Sequence, residues 1–185
     1  MTHLTRAELD AGLERIRSAP AAAGTLRYLV RRPAVGEREV IEDGALELVV
    51  GLVGDNWLTR GSRRTDNGLG HPDQQLNIMG IRAVELIAVS EDRWALAGDQ
   101  LYVDLDLSKD NLPTGTRLAI GDAVVEVTEL PHLGCKKFQA RFGTDAMRFV
   151  NSEVGRQLRL RGLNAKVVQP GRVAVGDAVI RLDGD

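Results

Sequence analysis

Residues 117–127 (RLAIGDAVVEV) and residues 172–182 (RVAVGDAVIRL) share Arg, Ala, Gly-Asp-Ala and Val at matching positions. In each copy one apolar, β-branched run leads into Gly-Asp and another leads out. Glycine reaches positive φ without a Cβ clash, and aspartate accepts from nearby backbone N–H groups. Each copy therefore predicts two short strands joined by a turn. Gly-Asp recurs at 54–55 and 98–99, which read as further turns. The apolar runs at 45–53, 81–89 and 101–107 read as strands, and so does 25–31 until Arg32-Pro33 breaks it. Many short strands with frequent turns predict a mainly β barrel or sandwich, and two repeats are too few for a solenoid.

Helical signals are fewer. Thr5-Arg6-Ala7-Glu8 has the form of a capping box, with Leu4 and Leu9 spaced as a hydrophobic staple. Leu9, Leu13 and Ile16 recur at helical spacing until Pro20. Residues 1–24 thus read as an N-terminal helix and linker, and 25–185 as the β domain. Residues 144–161 are helical in character, with Ser152 as an internal cap and Gly162 as the stop. Residues 59–75 form a polar, glycine-rich loop in which Arg60, Arg63, Arg64 and His71 are placed to face an anion or solvent.

Composition narrows the function classes. Hydrophobic residues make up 43% and charged residues 27% of the 185, the balance of a soluble globular protein. Aromatics are only 4%, too few for base-stacking platforms, and no nucleic-acid module is recognisable. The first residues lack an apolar signal-peptide core and no apolar run is long enough to span a bilayer, so a cytoplasmic protein without membrane contact is expected. One cysteine excludes an internal disulfide and a four-cysteine zinc site, and three scattered histidines offer no ligand-pair spacing. Phosphate-cradling and dinucleotide-binding glycine motifs are absent.

Chemistry concentrates in Leu130-Pro131-His132-Leu133-Gly134-Cys135-Lys136-Lys137-Phe138, which carries that single cysteine. A thiolate is both a nucleophile and a soft metal ligand, and cations beside it stabilise the anion. Gly134 reads as space for a ligand to approach the sulfur. A Cys–His hydrolase would need a third group to orient the base, and the sequence offers none for His132 or His71. Net charge is −2, yet residues 131–172 hold nine Lys/Arg against Asp145 and Glu153, so the remainder carries −9. A basic segment around a cysteine in an acidic chain points to a small anionic ligand rather than a long polyanion. Arg148, Arg156 and Arg159 read as a solvated helix face.

Taken in order, residues 112–121 (LPTGTRLAIG), Cys135, residues 162–171 (GLNAKVVQPG) and Val175-Gly176-Asp177 resemble a MOSC domain, the C-terminal domain type of molybdenum cofactor sulfurases. Residues 51–55 (GLVGD) are similar to an early element of that family. The resemblance implies a closed β-barrel of the pyruvate-kinase barrel-like type with a few short helices. It implies that Cys135 either carries sulfur as a persulfide or ligates the molybdenum of a bound molybdopterin cofactor. It further implies phosphate or oxo-group contacts for Lys136 and Lys137, a proton-donor role for His132, and cofactor contacts for Asn77, Gln100 and Arg161. Asp99-Gln100 stands where related stand-alone members often have Glu-Asn. The partners implied are an external sulfur donor, a pyridoxal-phosphate-dependent cysteine desulfurase, or an external electron donor. The activity implied is reduction of N-hydroxylated compounds or sulfur transfer. The other reading of the same residues is a small-anion-binding barrel module that has lost the chemistry.

Overall fold

Thr5 caps the first helix with both halves of the box in place: its backbone N–H donates to Glu8 Oε2 at 2.8 Å, and Glu8 N–H donates back to Thr5 Oγ1. Helix α1 (Arg6–Ala11) and helix α2 (Leu13–Arg17) are parted at Gly12. Leu9 is fully buried, and at roughly 2 kcal/mol for a sequestered leucine it ties this segment firmly to the barrel's flank. The structure, a computed structural model, describes residues 3–182.

The strands follow as β1 (Ala23–Arg31), β2 (Glu39–Ile41), β3 (Asp43–Glu47) and β4 (Gly51–Leu52). After the short helix α3 (Trp57–Arg60) come β5 (Leu76–Gly80), helix α4 (Ile81–Ala88), β6 (Leu101–Asp104), β7 (Arg117–Ile120) and β8 (Ala123–Val127). Helices α5 (Lys136–Asn151) and α6 (Glu153–Gln157) precede β9 (Leu163–Gln169), β10 (Gly171–Ala174) and β11 (Ala178–Leu182). Seven strands close in the order β1-β11-β7-β8-β9-β5-β6, with β6 returning to β1. The barrel expected from the sequence is present. Strand β2 extends it along β1, while β10, β3 and β4 form a separate small sheet.

Alternation along the strands builds two cores. Leu29, Ile78, Leu101 and Val103 fill the barrel, where Leu46, Leu52 and Val173 of the small sheet join them. The intervening Val30, Met79 and Tyr102 face outward beneath α1, α4 and α5, packed with Leu9, Val84, Phe142 and Phe149. Strands buried on both faces read as continuous apolar runs, because no solvated face remains to be polar. Among the described residues no helix is long and apolar enough to cross a membrane.

Four local expectations are corrected. Of residues 81–89, 81–88 are helical: the strands on either side, β5 and β6, are parallel, and a parallel pair requires a crossover. The helical period was present in Ile81, Val84, Ile87 and Ala88, all buried, but was masked by the apolar strand just before it. Residues 45–53 are not one buried strand; they fold back between β3 and β4, leaving Leu48 and Val49 exposed at the tip. Residues 172–182 are not a hairpin. Strand β10 pairs with β3 while β11 pairs with β7 and β1, so this Gly-Asp redirects the chain between sheets. The copy at 117–127 is a true hairpin, with Ile120 opposite Ala123. Finally, the helix expected from 144 begins eight residues earlier, directly after Cys135, and is kinked where Gly143 adopts φ 91°.

Candidate functional site

Two buried ion pairs organise the barrel's helical side. Arg32, just past the end of β1, holds Asp55 with two bonds of 2.8 Å, Nε to Oδ2 and Nη2 to Oδ1. Its Nη1 donates to Gly98 O at 2.9 Å and to Asn77 Oδ1 at 3.2 Å. Arg161, just before β9, donates from Nη1 to Asp99 Oδ2 at 2.6 Å and from Nη2 to Ala97 O at 2.9 Å. The Arg161 guanidinium lies 5.0 Å from the Phe138 ring centroid. Both carboxylates are 0% exposed. The two Gly-Asp pairs read as turns at 54–55 and 98–99 therefore supply buried counter-ions, a role that turn chemistry alone conceals. Gln100 is fully buried behind this wall: its Oε1 accepts from Asn77 N at 2.8 Å and its Nε2 donates to Gln75 O at 3.2 Å. It braces the wall and does not line the cleft.

His132 completes the second pair. Its Nε2 sits 2.8 Å from Asp99 Oδ1, and its side chain is 16% exposed. Burial disfavours the ionised Asp99, but the Arg161 guanidinium and His132 outweigh it and hold the carboxyl at about 2. Burial, with the Arg161 charge, pushes His132 below its ordinary value despite the opposing pull of Asp99. At neutral pH the ring is neutral, its proton on Nε2 toward the carboxylate, and Nδ1 is the basic nitrogen. Asp99 is the orienting third group that was not evident from the sequence.

Cys135 is exposed and stands at the start of α5. The loop before it is clamped by Asn151 at the end of the same helix. Gly134 N–H donates to Asn151 Oδ1 at 2.9 Å, and Asn151 Nδ2 donates back to Gly134 O at 3.0 Å. A Cβ on Gly134 would lie 2.9 Å from Val150 Cγ2, so that glycine serves this close approach rather than space for a ligand at the sulfur.

Around the thiol opens a cleft of about 480 Å3 whose walls carry six cations: Arg32, Arg38, Arg60, Lys137, Arg141 and Arg161. Among the described residues no carboxylate lines it, and Asp55 and Asp99 sit behind Arg32 and Arg161 alone. Arg38, Arg60, Lys137 and Arg141 have no ion-pair partner among the described residues. Arg38 Nη2 and Arg141 Nη1 converge over the Cα of Gly98, at φ 91°, where a Cβ would meet them at 3.4 and 3.8 Å. Burial, then Arg141 and Arg32, push Arg38 below the ordinary guanidinium value; burial and Arg32 do the same to Arg60. The buried Nε atoms of Arg38 and Arg161, and Oδ1 of Asn56, have no hydrogen-bond partner among the described residues. Uncompensated donors and clustered like charges give this surface a strongly positive, donor-rich character.

Of the residues singled out in the sequence, Cys135, His132, Lys137, Asn77 and Arg161 come together here. Lys136 is exposed and lies outside the lining. Arg60 joins the cleft, whereas Arg63 and Arg64 do not, and His71 instead accepts from Asp73 N to cap a short turn. Arg32, Arg38, Arg141, Asp55 and Asp99 were missed as site residues. Arg32 and Arg38 sit in a stretch that reads only as a strand end, and nothing local signals their convergence with a helix a hundred residues on.

The sequence profile described as MOSC domain matches residues 70–180. A comparison with curated proteins found no match. Among solved structures, the YuaD protein from Bacillus subtilis superposes with a TM-score of 0.64 at 15% identity, covering 88% of this chain and 97% of that one. The YiiM protein from Escherichia coli gives 0.55 at 19% identity, covering 87% and 71%. At these identities the likeness is one of fold.

Proposed function

Because the chain belongs to the MOSC domain family, we propose that the cleft around Cys135 holds the anionic molybdopterin cofactor, with Cys135 as molybdenum ligand or as carrier of a persulfide sulfur. One observation carries this reading: the only cysteine is exposed on a cleft walled by six cations and, among the described residues, by no carboxylate. The residues fit such a group. Arg38, Arg60, Lys137 and Arg141 are cations awaiting an anion, and the orphaned Nε–H groups of Arg38 and Arg161 are donors awaiting an acceptor. Among the described residues no three His, Cys, Asp or Glu side chains converge to cage a bare ion, so a metal meeting the Cys135 thiolate would arrive with its own ligands. When bound, the molybdenum centre supplies two-electron oxygen-atom transfer, the chemistry suited to reducing N-hydroxylated compounds.

The chain's own residues bind and orient. Arg32 and Arg161 are immobilised by their carboxylates and present fixed positive walls. His132, kept neutral and oriented by Asp99, holds a proton at Nε2 and accepts or returns one at Nδ1. A lone cysteine cannot hold an iron–sulfur cluster, so electrons would come from a separate donor. In the carrier role the Cys135 thiolate takes the terminal sulfur of a pyridoxal-phosphate-dependent desulfurase's persulfide, whose own cysteine leaves as thiolate. Metal analysis of protein from a molybdenum-cofactor-competent host tests the ligand role: stoichiometric molybdenum is expected, lost in Cys135→Ser. Intact mass tests the carrier role through a gain of one sulfur atom that reductant reverses. Neither signal, with anion binding retained, would leave the small-anion-binding module.

A further inference from the structure

A second cavity, of about 240 Å3, lies on the other side of His132. His132 is the one lining residue it shares with the cysteine cleft. The loop that follows β8 forms one wall, and the segment from α6 into β9 forms the other. Its surface divides by chemistry. Leu130, Pro131, Leu133, Val150 and Leu163 offer hydrocarbon, while Lys109, Arg156 and Arg159 bring three cations. Among the described residues Glu129 is the single acidic one in the lining, and none of the three cations has an ion-pair partner.

Arg159 is the informative member. It is partly buried, its Nη1 donates to carbonyls, Leu112 O at 2.6 Å and Leu107 O at 3.4 Å, and among the described residues no carboxylate pairs with it. Burial depresses its basicity. Its backbone lies at φ 48°, a left-handed conformation that costs a non-glycine residue of order 1 kcal/mol. A part-buried cation held only by carbonyls, at the edge of a partly apolar cavity, keeps a net charge that an anion entering the cavity would offset.

We propose that this cavity is a second binding site, for a small organic carboxylate whose hydrocarbon body packs against the leucines and whose carboxylate meets Arg159, Arg156 and Lys109. The site is independent of what the cysteine cleft binds. Its volume, below that of most drug-sized pockets, suits a body of six or so carbons.

Hexanoate is the probe, with hexanol as its uncharged counterpart and inorganic phosphate as the anion without a body. Histidine imidazole resonances are the readout, since the chain has three histidines and His132→Gln identifies the one on the shared wall. Hexanoate is expected to shift the His132 signal saturably in the millimolar range, with hexanol about tenfold weaker, whereas any shift from phosphate arises in the cysteine cleft and is weakened by Arg38→Met. Arg159→Met should weaken hexanoate about tenfold, and the exposed-site change Arg156→Gln, which removes no buried contact, several-fold. Arg38→Met in the cysteine cleft should leave hexanoate affinity unchanged. No saturable shift at tens of millimolar, equal binding of hexanol, or loss of binding in Arg38→Met rather than in Arg156→Gln and Arg159→Met would each overturn the assignment.

Discussion

Replacing Asp99 by asparagine removes one buried charge and almost no volume, so it isolates what that carboxylate does. In the folded protein Asp99 is held at about 2 against an ordinary 3.8, a drop of nearly two units and so about 2 kcal/mol of stability. The substitution does more than forfeit that. Arg161 remains buried without its counter-ion, and breaking such a pair costs about 3–5 kcal/mol. The asparagine carbonyl can still accept from Arg161 Nη1, but its amide then meets His132 Nε2, forcing the ring proton onto Nδ1. The larger figure governs, since the stranded guanidinium dominates, and a loss of about 3 kcal/mol is expected by urea denaturation. The pH dependence has a definite sign. The folded carboxyl titrates below the unfolded one, so between about pH 4 and pH 2 the unfolded chain binds more protons. About 2 kcal/mol of the wild-type advantage over Asp99→Asn is therefore present above pH 4 and is lost as pH falls toward 2. In a double-mutant cycle, Asp99→Asn with Arg161→Met should cost about 2 kcal/mol less than the sum of the single changes. Strict additivity, or a pH-independent difference down to pH 2, would refute the claim that these groups form one coupled unit.

Other expectations follow from different parts of the molecule. Val89 ends α4 at φ 69° and is 61% exposed, so Val89→Gly relieves strain with little loss of packing and should raise stability by about 1 kcal/mol in the same denaturation assay. Gly162 sits at φ 98°, and a Cβ there would lie 2.2 Å from Ile78 O; Gly162→Ala should lose about 3 kcal/mol or fail to fold, read by circular dichroism. Cys135 should react faster with iodoacetate than its intrinsic preference for neutral iodoacetamide allows, and Arg38→Met or Lys137→Met should each cut that ratio about threefold, an effect that salt suppresses. Because His132 titrates lower when folded, acidification below its unfolded value near 6.5 erodes stability; His132→Gln should flatten the stability profile there.

The barrel was legible because its evidence is local and repeated: β-branched runs between turns say strand whatever they later pair with. What the sequence could not supply was partnership. The two Gly-Asp copies that look alike at 117–127 and 172–182 have different fates, since β11 is claimed by the barrel seam on β1 and β10 by the small sheet. Residues 81–88 were misread for a related reason: a buried helix flanked by buried strand shows no polar face at its start, and only the parallel pairing of β5 with β6 demands it. Within the site, Cys135 and its neighbours could be found because a lone cysteine beside charge is conspicuous. Arg32, Arg38 and Arg141 were silent, being common surface residues whose meaning lies in their convergence over Gly98.

That convergence also explains the division of labour among the charges. Arg32 and Arg161 are satisfied within the protein, by Asp55 and Asp99, and so are fixed in place before any ligand arrives. Arg38, Arg60, Lys137 and Arg141 lack such partners among the described residues, and the repulsion of Arg38 by Arg141 and Arg32 is a cost that a bound anion would relieve. If the four loosely held cations were there only for solubility, scattering them would have been cheaper than gathering them on one side of a thiol. On the proposed reading, their grouping in one cleft with Cys135 would guide a charged group toward the sulfur, and neutral His132 on the same lining would hand over a proton without adding to the repulsion.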